Sequence, residues 1–306
     1  MPKSVFISYS WKQGEWVWDR LVPCLKAGEV DVLIDREQFE AARALKRQMD
    51  EVQDRANLNI LVFSPDYLTS KPCQHEMKRA IQRDPEFKDG VTIPVKRVAC
   101  DLPAAIRRPD PLYVDLTDDQ KENPWDLLLR KCEADLGAPA PQWLRARDDI
   151  RRYLTRGESV NLTVQGKVRW KPMIDDLRRD PSLADLREVD LRNPETYARR
   201  ALVETILAAC GIPGPVPDKP HDLVELGRAL RLRHGAAHLA LTHFDHVTHR
   251  TDYEIDLFSA LRYEMTDSKK LVLLIQSRQP FQTLLPKEHP LSSITTPKIV
   301  ELKGRP

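Results

Sequence analysis

The sequence predicts two consecutive α/β units, each a parallel sheet flanked by helices. Three observations lead there. Short β-branched runs alternate with helical patterns over the first 140 residues, the same alternation resumes with a new rhythm afterwards, and Gly137-Ala-Pro-Ala-Pro141 interrupts the two. The expected division is therefore residues 1–140 and 141–306.

In the first unit the apolar runs at 5–8, 30–34, 58–63, 91–95 and 112–114 predict five strands. Between them lie helical patterns at 15–27, 41–55, 70–83 and 124–136, with a short turn near 103–106. Right-handed crossovers leave few topologies for such an order, and a doubly wound five-stranded sheet is the default. In the second unit strands are predicted at 160–164, 186–191, 238–242, 270–275 and 298–302. Helices are predicted at 171–179, 195–209, 222–233 and 252–263, with a short one near 281–285. Residues 211–220 carry four prolines and read as an exposed loop.

Bulk properties narrow the class. At 306 residues, 41% hydrophobic and 31% charged, the chain can build two ordinary cores under a wet surface. No apolar run approaches the roughly 20 residues that span a bilayer, and the N-terminus enters a strand pattern without a leader-like segment. A cytoplasmic location is the expectation. Five scattered cysteines without a Cys-x-x-Cys spacing fit a reducing compartment. With 48 basic and 46 acidic residues there is no global pull toward nucleic acid. The local Arg runs at 145–156 and 228–233 read as solvated helix faces.

In an open parallel sheet, ligands bind beyond the carboxyl ends of the strands. Those ends supply Ser8, Tyr9 and Ser10 after the first strand, Asp35 after the second and Ser64 after the third. The following helix starts near Ser70, with Pro72 in its first turn, and places Glu76 one turn further on. These polar groups and one carboxylate are expected to share a crevice walled by the rings of Tyr9, Trp11 and Tyr67. Other roles stay open residue by residue. Glu76 could be an exposed helix residue paired with Lys78 or Arg79, Asp35 a strand-ending turn residue, and Ser8 or Ser64 a satisfier of loop backbone.

Phe6-Ile-Ser-Tyr-Ser10, Val32-Leu-Ile-Asp35, the run 61–70 followed by Cys73-Gln-His-Glu76, and Ile93-Pro-Val95 stand in the order and spacing of a TIR domain, which residues 3–137 resemble. The resemblance implies a flavodoxin-like five-stranded parallel fold. It implies either NAD+ glycohydrolase activity of a bacterial immune effector, active when assembled, or a non-enzymatic adaptor role. On the enzymatic reading Glu76 is the catalytic carboxylate, and Ser8, Tyr9, Ser10, Asp35, Ser64 and Tyr67 bind the substrate. NAD+ is then the substrate, no cofactor is required, and the partners are further copies of the chain or a sensor protein. Nucleic acid would be met only through such a partner. Nicotinamide leaves as a neutral molecule, so one carboxylate facing the developing ribose cation suffices. Three positions differ from the family pattern. Pro72 stands where Trp is frequent, Ala41-Ala42 where a Gly is usual, and Trp11-Lys-Gln13 where His-x-Asp is usual.

The second unit resembles the core of a STAND- or AAA-type P-loop ATPase without its phosphate chemistry. After the strand at 160–164, Gly166 keeps the first loop glycine, while Lys171, Pro172 and Met173 replace the second Gly, the Lys and the Ser/Thr. Thr242 and His243 stand where the metal- and water-handling acids belong, after the strand at 238–242. The resemblance thus implies a catalytically dead domain kept for sensing, docking or oligomerisation. His238, His243, His246 and His249 with Asp245 and Asp252 are dense enough to suggest a metal. In a turn leaving a strand that spacing does not converge, and no metal is expected.

Overall fold

The computed structural model describes residues 3–34, 45–107, 113–212, 214–219, 221–292 and 298–305. The chain separates into two compact units, Met1–Leu144 and Arg145–Pro306.

The first unit is a five-stranded parallel sheet in the order β2-β1-β3-β4-β5. Its strands are β1 (Ser4–Tyr9), β2 (Asp31–Leu33), β3 (Leu58–Phe63), β4 (Thr92–Lys96) and β5 (Val114–Asp115). The register sets Val5 opposite both Val32 and Leu58, and Ile60 opposite Ile93. β3 is buried along its whole length, as a central parallel strand covered on both faces must be. The helix after β1 occupies residues 14–27 (α1) and contains a π-helical stretch, Val17–Leu21, between two α-helical segments. Next come α2 (Leu45–Arg55), α3 (Pro65–Thr69), α4 (Lys71–Arg83) and α5 (Glu122–Lys131). Helix α4 lays Cys73 and Ala80 on Leu61 and Phe63, where truncating one buried Leu to Ala costs about 2–5 kcal/mol. The expected turn near 103–106 is present, closed by the Ile106 N–H on the Pro103 carbonyl.

A further helix, α6 (Ala140–Leu154), starts inside the proline-rich break, with Pro141 in its first turn. The solvated-face reading of 145–156 needs correction. Arg147 on α6 is fully buried and bonds both Asp148 and Asp176, so the cation is neutralised rather than hydrated.

The second sheet has the order β10-β6-β9-β8-β7 and is also parallel throughout. Its strands are β6 (Val160–Gln165), β7 (Arg187–Asp190), β8 (Ala237–Thr242), β9 (Leu271–Ser277) and β10 (Lys298–Lys303). The chain leaves β6 for the far edge, returns through β8 and β9, and crosses β6 to end on β10. That places the switch point at the carboxyl end of β6, where Val164, Gln165 and Gly166 line a crevice. The helices are α7 (Pro172–Leu177), α8 (Arg199–Ala209), α9 (His221–Leu232), α10 (Ile255–Thr266) and α11 (Phe281–Leu284). The fold is thus a flavodoxin-like sheet followed by a second α/β, P-loop-NTPase-like sheet, as expected.

Within this unit Arg199 is buried at the start of α8. It forks onto Asp222 at 2.7 and 2.9 Å and bonds Asp256 at 2.7 Å, clamping the starts of α9 and α10. The second Arg run is only partly solvated. Arg228 is exposed, but Arg231 binds buried Glu264 and Arg233 binds Asp185. In the proline-rich loop Val216 is buried, anchoring that loop to the core. No helix among the described residues is long and apolar enough to cross a membrane.

Candidate active site

At the carboxyl ends of β1 and β3, three side chains predicted for the crevice meet. The Ser8 hydroxyl donates to the Glu76 carboxylate, and the Tyr67 hydroxyl lies 2.9 Å from Ser8 Oγ. A serine has one proton to give, so Tyr67 must donate to Ser8 while Ser8 donates to Glu76. The relay therefore runs phenol, alcohol, carboxylate. Burial first, and the Glu76 charge with it, pushes the Tyr67 phenol well above its ordinary range, so it keeps the proton that the relay needs.

Local sequence explains each position. Ser8 is buried near the carboxyl end of the inner strand β1, and Glu76 sits on the face of α4 that meets β1. Glu76 is 5% exposed, which rules out the surface-residue alternative, and Arg79 is turned to Asp54 and Asp50 of α2 instead. The Glu76 backbone carbonyl accepts from Gln53 Nε2 at 3.0 Å, tying α4 to α2. Tyr9 is held through its hydroxyl by Trp18 Nε1 at 3.1 Å, while its carbonyl faces Cys73 Sγ at 3.5 Å.

Phe6, Tyr9, Trp11, Met49, Pro72 and Glu76 are among the residues that line a cleft of about 50 Å³ beside the carboxylate. Trp11 stands 72% exposed at this cleft.

Two expected members, Ser64 and the Tyr67 ring, are placed otherwise. Ser64 caps α3, accepting from the Tyr67 N–H at 3.2 Å, because a serine before Pro-Asp-Tyr is an N-cap before it is a ligand group. Ser10 starts the short turn after β1, its carbonyl receiving the Gln13 N–H. Tyr67 joins the relay through its hydroxyl only. Its ring is buried edge-on against Phe63 at 4.9 Å and forms no wall of the cleft. Asp35 and Ala41-Ala42 lie outside the described residues. The expectation missed Gln53 and Met49, although the sequence held a signal. Residues 49, 52, 53 and 56 follow the helical apolar spacing, and a Gln in that stripe is a polar group bound for burial.

The TIR domain family model matches residues 5–129. Residues 5–129 are a TIR domain. Among solved structures, the TIR domain of the Toll-related receptor TRR-2 from Hydra magnipapillata aligns at 21% identity over 42% of this chain and 96% of its own, with a TM-score of 0.37. The chain in a structure of Drosophila ORC bound to DNA aligns at 12% identity over 53% of this chain and 89% of its own, with a TM-score of 0.40. No curated protein matches.

In the second unit the expected phosphate-loop positions are engaged in structural contacts. Lys171 pairs with Glu188 at 3.1 Å, Pro172 opens α7, and Met173 is buried. Buried Thr242 donates to Glu188 at 2.9 Å. Gly166 adopts φ +81°, and an added Cβ would come within 3.3 Å of the Gly304 Cα. The histidines disperse, with His238 on Asp185 and His243 on Asp190. No group of three or more His, Cys, Asp or Glu able to hold a metal occurs among the described residues.

Proposed function

We propose that this chain is an NAD+ glycohydrolase of a bacterial antiphage or innate-immune type, cleaving the nicotinamide–ribose bond when assembled or bound to a partner. The observation that supports it best is a buried carboxylate, Glu76, held by Ser8 at the carboxyl ends of a parallel TIR sheet. A site of that kind concentrates negative charge where a ribose cation develops. Nicotinamide needs no proton to leave, so a second acid is unnecessary. Tyr67 remains protonated, and the relay keeps Ser8 donating, so the Glu76 carboxylate stays oriented. Ser8 and Tyr9 are the proposed neighbours of the substrate. Ser10, between Tyr9 and Trp11, stays a proposed neighbour, whereas Ser64 and the Tyr67 ring do not, on the contacts above.

The cleft beside Glu76 is too small for a dinucleotide in this arrangement. That supports a requirement for assembly, with residues of a neighbouring copy or partner completing the pocket. It equally favours the second reading, an adaptor that only binds other TIR domains. The degenerate second unit serves in either reading as the sensing, docking or oligomerising module.

The full chain, fused to a scaffold that forces it into oligomers, tests the assignment by nicotinamide release from NAD+. Glu76→Gln in the same assembly is expected to lower release at least about 100-fold, the range for removing one transition-state electrostatic partner. Equal release by the variant would reject Glu76, and no release by the assembled wild type would favour the adaptor.

A further inference from the structure

Asn59 is out of place in the core of the TIR domain. It stands one residue into β3, in an otherwise apolar run, on the face shared with Leu61 and Phe63 that α4 covers. Its side chain is fully buried, yet among the described residues neither its Oδ1 nor its Nδ2 has a hydrogen-bond partner. Burying both halves of an amide unpaired is costly, and folded proteins supply the missing partner.

Asn59 lines a cavity of about 250 Å³ framed by α2 and α4. That is several times the roughly 30 Å³ share of one water and below the roughly 300–1,000 Å³ of drug-sized sites. Its size suits a molecule no larger than an amino acid. Gln53, Asp54, Arg79 and Arg83 also line it, and among the described residues no aromatic ring does. Arg79 is spent, with Nε on Gln53 Oε1 at 3.3 Å and Nη2 on Asp54 Oδ1 at 2.6 Å. Arg83 is held by Nη1 alone, on the Ala56 and Gln53 carbonyls at 2.8 and 3.5 Å. Its Nε and Nη2 make no hydrogen bond among the described residues, and no carboxylate there pairs with it.

These groups select a ligand by their chemistry. An amide presents a donor and an acceptor side by side, and only a group carrying the same pair answers both. A carboxylate would satisfy Nδ2 and repel Oδ1, and an ammonium would do the reverse. The uncommitted side of Arg83 matches a carboxylate. We infer that this cavity binds a small aliphatic acid bearing a primary carboxamide, as asparagine and glutamine do, with the carboxamide on Asn59 and the carboxylate on Arg83. Without an aromatic wall, a flat heterocycle with the same donor–acceptor edge would lack its stacking surface. Gln53 gives the site a consequence. It lines the cavity while its Nε2 donates to the Glu76 carbonyl at 3.0 Å, so an occupied cavity braces the contact of α2 with α4. The binding itself stands whether or not the TIR domain cleaves NAD+.

Calorimetric titration of the full chain with L-asparagine and L-glutamine tests it, with L-aspartate and L-glutamate as matched acids. At least one amide is expected to bind saturably at one per chain, at least about tenfold tighter than its acid. Asn59→Leu and Arg83→Gln, each confirmed folded by its melting profile, are expected to weaken that binding at least about tenfold. Arg83 is an exposed residue, so its variant carries the test should Asn59→Leu fail to fold. Arg192→Gln, at the crevice of the second unit, is expected to leave the binding intact. The inference is overturned if neither amide binds below millimolar concentration, which would leave ordered water as the partner of Asn59. It is also overturned if the acids bind as tightly as the amides, or if Arg83→Gln binds as tightly as wild type. Loss of the binding in Arg192→Gln would overturn it too, by placing the ligand in the second unit.

Discussion

The two units handle buried charge in opposite ways. In the TIR domain Glu76 is held at a strand-end crevice by a chain of hydroxyls from Ser8 and Tyr67. In the second unit a buried cation, Arg199, is surrounded by Asp222, Asp256 and Glu254 and pins three helix starts together. The hydroxyls of Ser8 and Tyr67 orient the Glu76 carboxylate and bring no charge of their own. Carboxylate partners cancel the charge of the arginine and convert it into a fastening. The same chemistry of burial therefore yields a poised group in one sheet and a structural clamp in the other.

The largest expected effect breaks the clamp. Arg199→Ala leaves Asp222, itself 1% exposed, without its cation, and should cost about 3–5 kcal/mol of stability in urea unfolding. Loss of less than about 1 kcal/mol would mean that water replaces the guanidinium, and that the arginine does not fasten the helices. The relay should be less sensitive. Ser8→Ala strands the buried Tyr67 hydroxyl and removes a donor from Glu76, which should cost about 1–3 kcal/mol. Glu76→Gln keeps an acceptor for Ser8 and should cost less than Ser8→Ala in the same denaturation experiment. If Glu76→Gln proved the more destabilising, the carboxylate would be a structural partner like Asp222, and the contrast between the units would fail.

That contrast was only half legible in the sequence. The strands were, because buried parallel strands are continuous apolar runs, as in Leu58–Phe63 and Leu271–Ser277. Glu76 and Ser8 were legible as strand-end and helix-start polar residues in a spaced pattern. The Tyr67 role was half legible. The phenol was expected near the crevice, but its ring direction depends on packing against Phe63, which no local pattern encodes. Ser64 fits two local rules at once, and backbone capping won because it satisfies an N–H that burial would otherwise orphan. The Arg147 and Arg199 clamps were illegible, because their acidic partners Asp176, Asp222 and Asp256 come from separate helices. A charged run reads as solvated until the fold brings the opposite charge to it.

Acid should separate the units further. The folded-state pKa of His243 lies below its ordinary value because burial disfavours the imidazolium. The unfolded chain therefore binds that proton first, so this contribution is complete above about pH 6.5 and is lost as pH falls through the folded value. Asp190, held to about 2, adds a contribution that is complete above about pH 4 and lost toward pH 2. Stability of the second unit should fall in two stages on acidification. His243→Asn removes the titrating ring with a residue that accepts the left-handed backbone, and should abolish the upper stage while leaving the lower. An unchanged upper stage in that variant would assign the titration to another group.

The smallest expected effect concerns the loop that leaves β1 beside the Glu76 cleft. Lys12 and Asp66 approach at 2.6 Å across this loop, but the lysine is 73% exposed. An exposed pair gives back in side-chain entropy most of what it gains in attraction, so Lys12→Met should shift stability by no more than about 0.5 kcal/mol. The loop is held more firmly from below, where Trp18 donates to the Tyr9 hydroxyl and Cys73 meets the Tyr9 carbonyl. Tyr9→Phe keeps the ring and removes only the hydroxyl that accepts from Trp18 at a part-buried site, and should cost about 1 kcal/mol, more than the whole ion pair. The order of the two effects is the informative result. If Lys12→Met proved the costlier change, and if its cost vanished in high salt, the crevice of the TIR domain would depend on a surface charge pair. It would then be fastened electrostatically, as the helices around Arg199 are, and the two units would differ in the depth of their charges rather than in kind.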